Sequence, residues 1–143
     1  CGDWQFSQFV DWNGATYIGA DCVKSVIQKN QNDYSDLDGR INFIHMDISN
    51  SVHEIKPNQD LIILKDILQH WSNIDIIKFM DILVNQGHKY ILLINGYKEA
   101  KGSDRTIENR YRYAKIDCRL EPLCKYKPEI LFTYRFKQVA LIS

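Results

Sequence analysis

Short apolar runs alternate with stretches of helical spacing along this chain. The runs "ATYIGADC" (15–22) and "RINFIHMDIS" (40–49) are rich in β-branched and aromatic residues, and each reaches an acid. Two further runs, "DLIILKDIL" (60–68) and "HKYILLING" (88–96), are almost continuously apolar. Continuous runs of this length are typical of strands buried on both faces. The pattern therefore predicts four strands of a parallel sheet.

Helical spacing follows the first and third of these runs. In "VKSVIQKN" (23–30), Val23, Val26 and Ile27 mark one helix face. In 72–87, Ser72 and Asp75 have capping-box spacing and Gly87 supplies a stop. An apolar stripe lies between them: Ile76, Ile77, Met80, Leu83 and Val84. Both segments are predicted to be helices.

The recurring order strand, helix, strand predicts the fold class. It is α/β, a Rossmann-like, mostly parallel, doubly wound sheet with right-handed crossovers. The last run, "EILFTYRFKQVALIS" (129–143), predicts an antiparallel hairpin. Its centre, "YRFK", lacks the Gly, Asn or Asp of a tight turn. The turn is therefore unusual, or residues of a longer hairpin loop are absent from this sequence.

Composition narrows the class of protein. With 143 residues, 45% of them hydrophobic, residues 1–143 are predicted to form a single domain. Eighteen basic and 18 acidic residues give no net field that would attract nucleic acid or an anionic membrane. The apolar runs are shorter than the roughly 20 residues that span a bilayer, which predicts a cytoplasmic protein. Four scattered cysteines and four histidines lack zinc-site spacing, so free thiols and no metal are expected.

Three acids close apolar runs, and strand ends are where doubly wound sheets bind ligands. These acids are Asp21, Asp47 and Asp66. A carboxylate at a strand end can accept hydrogen bonds from ligand hydroxyls or an exocyclic amine. It can equally cap the helix that follows. The residues alone leave both roles open.

The sequence opens with "CGDW", which places a glycine at position 2. Together with the acids, it resembles the class I S-adenosylmethionine-dependent methyltransferases over nearly the whole chain. In that family the first strand ends in an acid-x-Gly-x-Gly loop around the methionine part of the cofactor, S-adenosyl-L-methionine (SAM). The resemblance makes Gly2 the last loop glycine and places Cys1, Asp3 and Trp4 beside the cofactor.

The resemblance also assigns roles further along the chain. Asp21 matches the acid that binds the ribose hydroxyls, with Cys22 bordering the adenine. Asp47 matches the acid that accepts from the adenine amino group, with Ile48 beside it.

"LKDILQHWSN" resembles the family's motif facing the transferable methyl group. It implies that Lys65 lies at the cofactor and that Asp66 and His70 are candidate catalytic bases. Histidine fits because it titrates near neutral pH, although His70 could also simply begin a helix. Asn95 and Tyr97, at the next strand end, are candidates for positioning the acceptor.

One departure from the family pattern concerns the start of the sequence. The family's first strand and half of its glycine loop are not in the sequence, since it begins inside the motif. A central strand position left vacant would expose costly unpaired backbone groups. We therefore expect a short apolar strand ending in acid-x-Gly before Cys1.

Two aromatic-rich segments have open interpretations. A helix after the glycine loop would include Trp4, Phe6, Phe9, Val10 and Trp12. Core packing is favoured over cofactor stacking for these side chains, except for Trp4, which lies nearest the loop. The segment from Lys98 to Arg119 mixes basic residues with Tyr111 and Tyr113. This mixture is compatible with nucleic-acid binding, but a solvated loop on the substrate side is favoured.

The predicted function is SAM-dependent methyl transfer to a small-molecule, sugar or protein acceptor. The Asn-Pro-Pro-Tyr signature of adenine methylation does not occur in the sequence. One alternative is a SAM-binding pseudoenzyme or interaction module. A less favoured alternative is an NAD-dependent oxidoreductase, because an acid after the second strand also suits the NAD ribose.

Overall fold

The computed structural model describes residues 1–34, 39–98, 100 and 115–143. The chain divides into two compact units, Cys1–Ser51 and Val52–Ser143, called here the N-terminal and C-terminal units. Most of the basic segment from Lys98 to Arg119, including Tyr111 and Tyr113, lies outside the described residues. Within the described residues, no helix has the length and apolar character needed to cross a membrane.

The N-terminal unit is a two-stranded parallel sheet with one helix. Strand β1 (Tyr17–Asp21) pairs with β2 (Ile41–His45), and helix α1 (Lys24–Tyr34) connects them. The predicted strand, helix, strand order is therefore confirmed here. Gly19 is required by close packing, because an added Cβ would lie 2.8 Å from the Phe43 ring and 2.9 Å from the Tyr17 ring.

The core of this unit is built around Trp4. Its ring is 2% exposed and packs with Ile27, Ile41 and Phe43. Trp12, Tyr17 and Tyr34 surround this cluster and are partly buried. Trp12 packs against this core, as the sequence predicts, whereas Trp4, which the family resemblance placed beside the cofactor, lies inside the core.

The prediction of a helix after the glycine loop is wrong. Only a single 3-10 turn forms, at Ser7–Phe9, and Phe6, Phe9 and Val10 are 84%, 80% and 50% exposed. Trp4 has a left-handed backbone (φ 54°), and this conformation is incompatible with a helix beginning there. The aromatic residues of this segment therefore form no helix face, and two of them contribute to the core, Trp4 as a buried residue and Trp12 as a partly buried one.

The C-terminal unit is a four-stranded mixed sheet. Strands β3 (Leu61–Lys65) and β4 (Tyr90–Gly96) are parallel and connected through helix α2 (Asn73–Asn85). Strands β5 (Glu129–Tyr134) and β6 (Lys137–Ile142) form the predicted antiparallel hairpin, and the sheet order is β3-β4-β6-β5. The hairpin turn is indeed unusual, because Arg135 adopts a positive φ of 52° without being glycine.

Helix α2 begins as its sequence predicts. The Ser72 hydroxyl accepts from the Asp75 amide at 3.1 Å and donates to the Asp75 carboxylate at 2.6 Å. The predicted stripe is corrected at three positions, since Val84 is 39% exposed, Ile77 is only half-buried, and Phe79, which the stripe left out, is buried. The buried face of the helix consists of Ile76, Phe79, Met80 and Leu83.

A polar network is buried beside β6. The Asp117 carboxylate pairs with the Arg119 guanidinium at 2.6 Å and accepts from the Gln138 amide at 3.1 Å. Gln138 in turn accepts from the Cys118 amide at 2.7 Å. The Arg119 hydrogen bonds lower the pKa of Asp117 from 3.8 to about 2 against the opposing effect of burial.

This network predicts a pH dependence of stability. Because the folded-state pKa of Asp117 is depressed, its contribution is full above about pH 4 and is lost as the pH falls through about 2. Urea unfolding from pH 5 to pH 2 should show wild type losing about 2 kcal/mol relative to Asp117→Asn. Parallel pH curves for the two proteins would contradict the assignment.

Candidate functional site

The opening glycine segment lies against the end of β1. The Cys1 nitrogen donates to the Ala20 carbonyl at 2.6 Å, and the Gly2 amide donates to Asp21 Oδ2 at 3.0 Å. The buried Asn30 of α1 donates to the Gly2 carbonyl at 2.8 Å. Gly2 has a φ of 62°, and no atom lies within 4 Å of the place where a Cβ would stand. The segment is thus held from one side and open at the glycine.

Asp21 joins this segment to the start of α1. Its Oδ1 accepts from the Val23 amide at 3.0 Å, while Oδ2 accepts from Gly2 and also lies 3.2 Å from the Cys1 nitrogen. Partial burial opposes the charged form, but the amide hydrogen bonds outweigh it and lower the pKa of Asp21. A carboxylate has about four acceptor positions. The geometry leaves room for one more donor, on Oδ1.

Asp47 lies at the same end of this sheet as Asp21. The strands are parallel, and the Met46 amide, next to Asp47, donates to the Asp21 carbonyl at 3.0 Å. The Asp47 carboxylate accepts from the Ser49 hydroxyl at 2.6 Å and from the Asn50 side chain at 3.0 Å. The Ser49 hydrogen bond lowers the pKa of Asp47. Asp47 therefore presents an exposed, ionised carboxylate fixed by its own turn.

The other predicted cofactor residues of this unit differ in accessibility. Asp3 and Cys22 are exposed, and Ile48 is half-buried. Trp4 is almost wholly buried, with ring centroids of Tyr17, Tyr34 and Phe43 within 5.5 Å. Its indole therefore serves the core, and little of it is open to a ligand.

Lys65, Asp66 and His70 belong to the C-terminal unit. Asp66 follows β3 in a left-handed conformation (φ 58°), and its amide donates to the Ile94 carbonyl at 2.9 Å. Its carboxylate makes an ion pair with Lys137 and lies 3.6 Å from the Lys65 ammonium. His70 is exposed and ends the 3-10 turn Leu68–His70.

Lys137 is a site residue that the sequence reasoning missed. It is 71 positions from Asp66 along the chain, and the antiparallel pairing of β6 with β4 places it opposite Gly96, at the strand end next to Asp66. The predicted hairpin could have indicated the position of Lys137. A last strand that runs antiparallel to its neighbour must begin at the carboxyl end of that neighbour.

Asn30 was also missed. It lies within α1 and is 0% exposed. The sequence offered no signal for it, since its role depends on the approach of the Gly2 carbonyl 28 positions away. The four cysteines are free thiols, as predicted.

Comparison with known proteins identifies the fold. No protein-family model and no curated protein matches the chain. Among solved structures, a magnesium protoporphyrin IX methyltransferase from Synechocystis PCC 6803 with bound SAM matches 99% of the chain at 17% identity and a TM-score of 0.65.

Two further solved structures agree with this match. A methyltransferase of calicheamicin biosynthesis, in its S-adenosylhomocysteine (SAH)-bound form, matches 98% of the chain at 20% identity and a TM-score of 0.68. TehB from Haemophilus influenzae matches 99% at 14% identity and a TM-score of 0.64. The chain spans 65%, 45% and 54% of the lengths of these three proteins, in the order named. The chain therefore has the class I methyltransferase fold, a Rossmann-like α/β fold.

Proposed function

We propose that this chain is the SAM-binding part of a methyltransferase. The observation that carries the proposal is the arrangement at the end of β1. There the amide of Gly2 donates a hydrogen bond to the Asp21 carboxylate, and the space where a Gly2 side chain would stand is open. The structural neighbours that carry SAM or SAH support the same cofactor. Within the N-terminal unit, we propose that Trp4 supports the glycine loop from the core and that the cofactor is bound by Cys1, Gly2, Asp3, Asp21, Cys22, Asp47 and Ile48. Lys65, to which the family resemblance gives a role at the cofactor, belongs to the C-terminal unit.

The donor chemistry fits the groups that the N-terminal unit presents. SAM supplies an activated methyl on a sulfonium, so the protein must chiefly align donor and acceptor and exclude water. The free position on Asp21 Oδ1 accepts one ribose hydroxyl without disturbing the Val23 amide. The exposed Asp47 carboxylate accepts from the adenine amino group.

The chemical step needs few protein groups. With SAM bound, the acceptor's lone pair would displace the methyl group, and the electrons of the broken carbon–sulfur bond would stay on sulfur. Where the acceptor carries a proton, that proton passes to a base. Asp66 and His70 are the proposed bases, and Lys137 holds the Asp66 carboxylate in place.

A second candidate is a SAM-binding module that transfers no methyl group. It is favoured by the engagement of Asp66 with two lysine ammonium groups, because these ion pairs already occupy the carboxylate that the methyl transfer would use as a base. Fold alone does not separate the two candidates. Both predict cofactor binding, and only the first predicts turnover.

Isothermal titration of the chain with SAH tests the proposal. We expect SAH to bind and NAD, titrated in parallel, to leave the heat signal unchanged. Absence of SAH binding at about 1 mM, an affinity weaker than about 4 kcal/mol, would overturn the cofactor assignment. Binding of NAD in place of SAH would favour the oxidoreductase.

A further inference from the structure

Asn95 occupies a buried position at the carboxyl end of β4. It lies opposite Gln138 of β6 and is 0% exposed. The carbonyl of Ile94, the residue before Asn95, accepts a hydrogen bond from the Asp66 amide. Ligands of open α/β sheets bind at this end of the parallel strands.

Among the residues that the structure describes, neither polar atom of the Asn95 side chain has a hydrogen-bond partner. The amides around it are satisfied. Gln138 bonds Cys118 and Asp117 at 2.7 and 3.1 Å, and Gln69 accepts from the Gly96 amide at 3.5 Å.

An unpartnered buried amide is costly to the fold. Each polar group left without a partner loses its hydration and gains nothing in return. A leucine of similar volume would satisfy this position better, and native proteins leave few such groups unexplained. A side chain retained at this cost is accounted for by a ligand that completes its hydrogen bonds.

We propose that Asn95 is a specificity-determining residue that binds an uncharged polar group of the methyl acceptor. The inference rests on the proposed function and names the chemistry of its acceptor. A carboxamide presents one donor and one acceptor side by side, so it pairs best with a group that offers the same pair, such as an amide. A charged group is disfavoured, because the carboxamide cannot neutralise a charge buried beside it.

Stability provides the first test, and it does not depend on the acceptor. Asn95→Leu should raise the urea midpoint of the full chain and lower the unfolding equilibrium constant about fivefold or more. Gln138→Met is the matched control, since it removes a satisfied buried amide and should lower the midpoint. A lowered midpoint for Asn95→Leu as well would show that Asn95 is a structural residue and would overturn the proposal.

Ligand binding provides the second test. Saturation-transfer NMR should detect benzamide on wild type, with the signal falling at least threefold in Asn95→Leu, and should detect benzoate weakly on both. Equal benzamide signals, or benzoate preferred over benzamide, would overturn the assignment. SAH titration of both proteins distinguishes failure of the proposed cofactor from failure of the proposed role of Asn95. If wild type does not bind SAH, the cofactor assignment is refuted. If both proteins bind SAH and give equal benzamide signals, only the role of Asn95 is refuted.

Discussion

Replacing Trp4 by alanine should destabilise the N-terminal unit by about 3 to 5 kcal/mol, the range for removing a buried tryptophan. The ring is 2% exposed, and the rings of Tyr34 and Phe43 lie 5.2 and 5.4 Å from it. Its removal leaves a cavity at the centre of a cluster whose other buried members, among the described residues, are Ile27, Ile41 and Phe43. Urea unfolding followed by far-UV circular dichroism measures the loss.

Phe6 is the matched control for Trp4. It is an aromatic residue two positions away, but it is 84% exposed. Phe6→Ala should change stability by no more than about 0.5 kcal/mol. If Trp4→Ala cost less than about 1 kcal/mol, the placement of Trp4 at the centre of the core would be wrong.

Replacing Asp21 by alanine should weaken SAH binding about tenfold to a hundredfold. This is roughly 1.5 to 3 kcal/mol, the range for a hydrogen bond to a charged group. The substitution removes the proposed acceptor of the ribose and also frees the Gly2 amide that the carboxylate holds. The same change should lower stability by about 1 kcal/mol, because the Val23 amide loses its cap. Isothermal titration and urea unfolding measure the two effects separately.

Asp11 provides the control for Asp21. Its carboxylate accepts from the Asn13 amide at 2.9 Å in an exposed turn of the same unit. Asp11→Ala should leave SAH affinity unchanged. An affinity change below about twofold for Asp21→Ala would remove Asp21 from the cofactor site and leave it only its role at the start of α1.

From β1 onward, the sequence by itself determined the order and type of the strands and α-helices. The runs before Asp21 and Lys65 form strands, and the Ser72 and Asp75 pair begins α2. These signals are local, because a strand period or a helix cap depends on residues a few positions apart. The acids at strand ends were found for the same reason. Each is read from the end of one apolar run, and parallel pairing places Asp21 and Asp47 at the same end of the sheet.

The tertiary structure decided which residues meet. Phe6 and Trp4 are both aromatic and close in sequence, yet the packing of the N-terminal unit buries the Trp4 side chain and leaves Phe6 exposed. Lys137 reaches Asp66 only because β6 pairs with β4 in one register, and the same register buries Asn95 beside Gln138. Register is set by packing over distant segments, and a shift of one residue would turn every side chain to the other face. Contacts of this kind leave no periodic trace in the sequence.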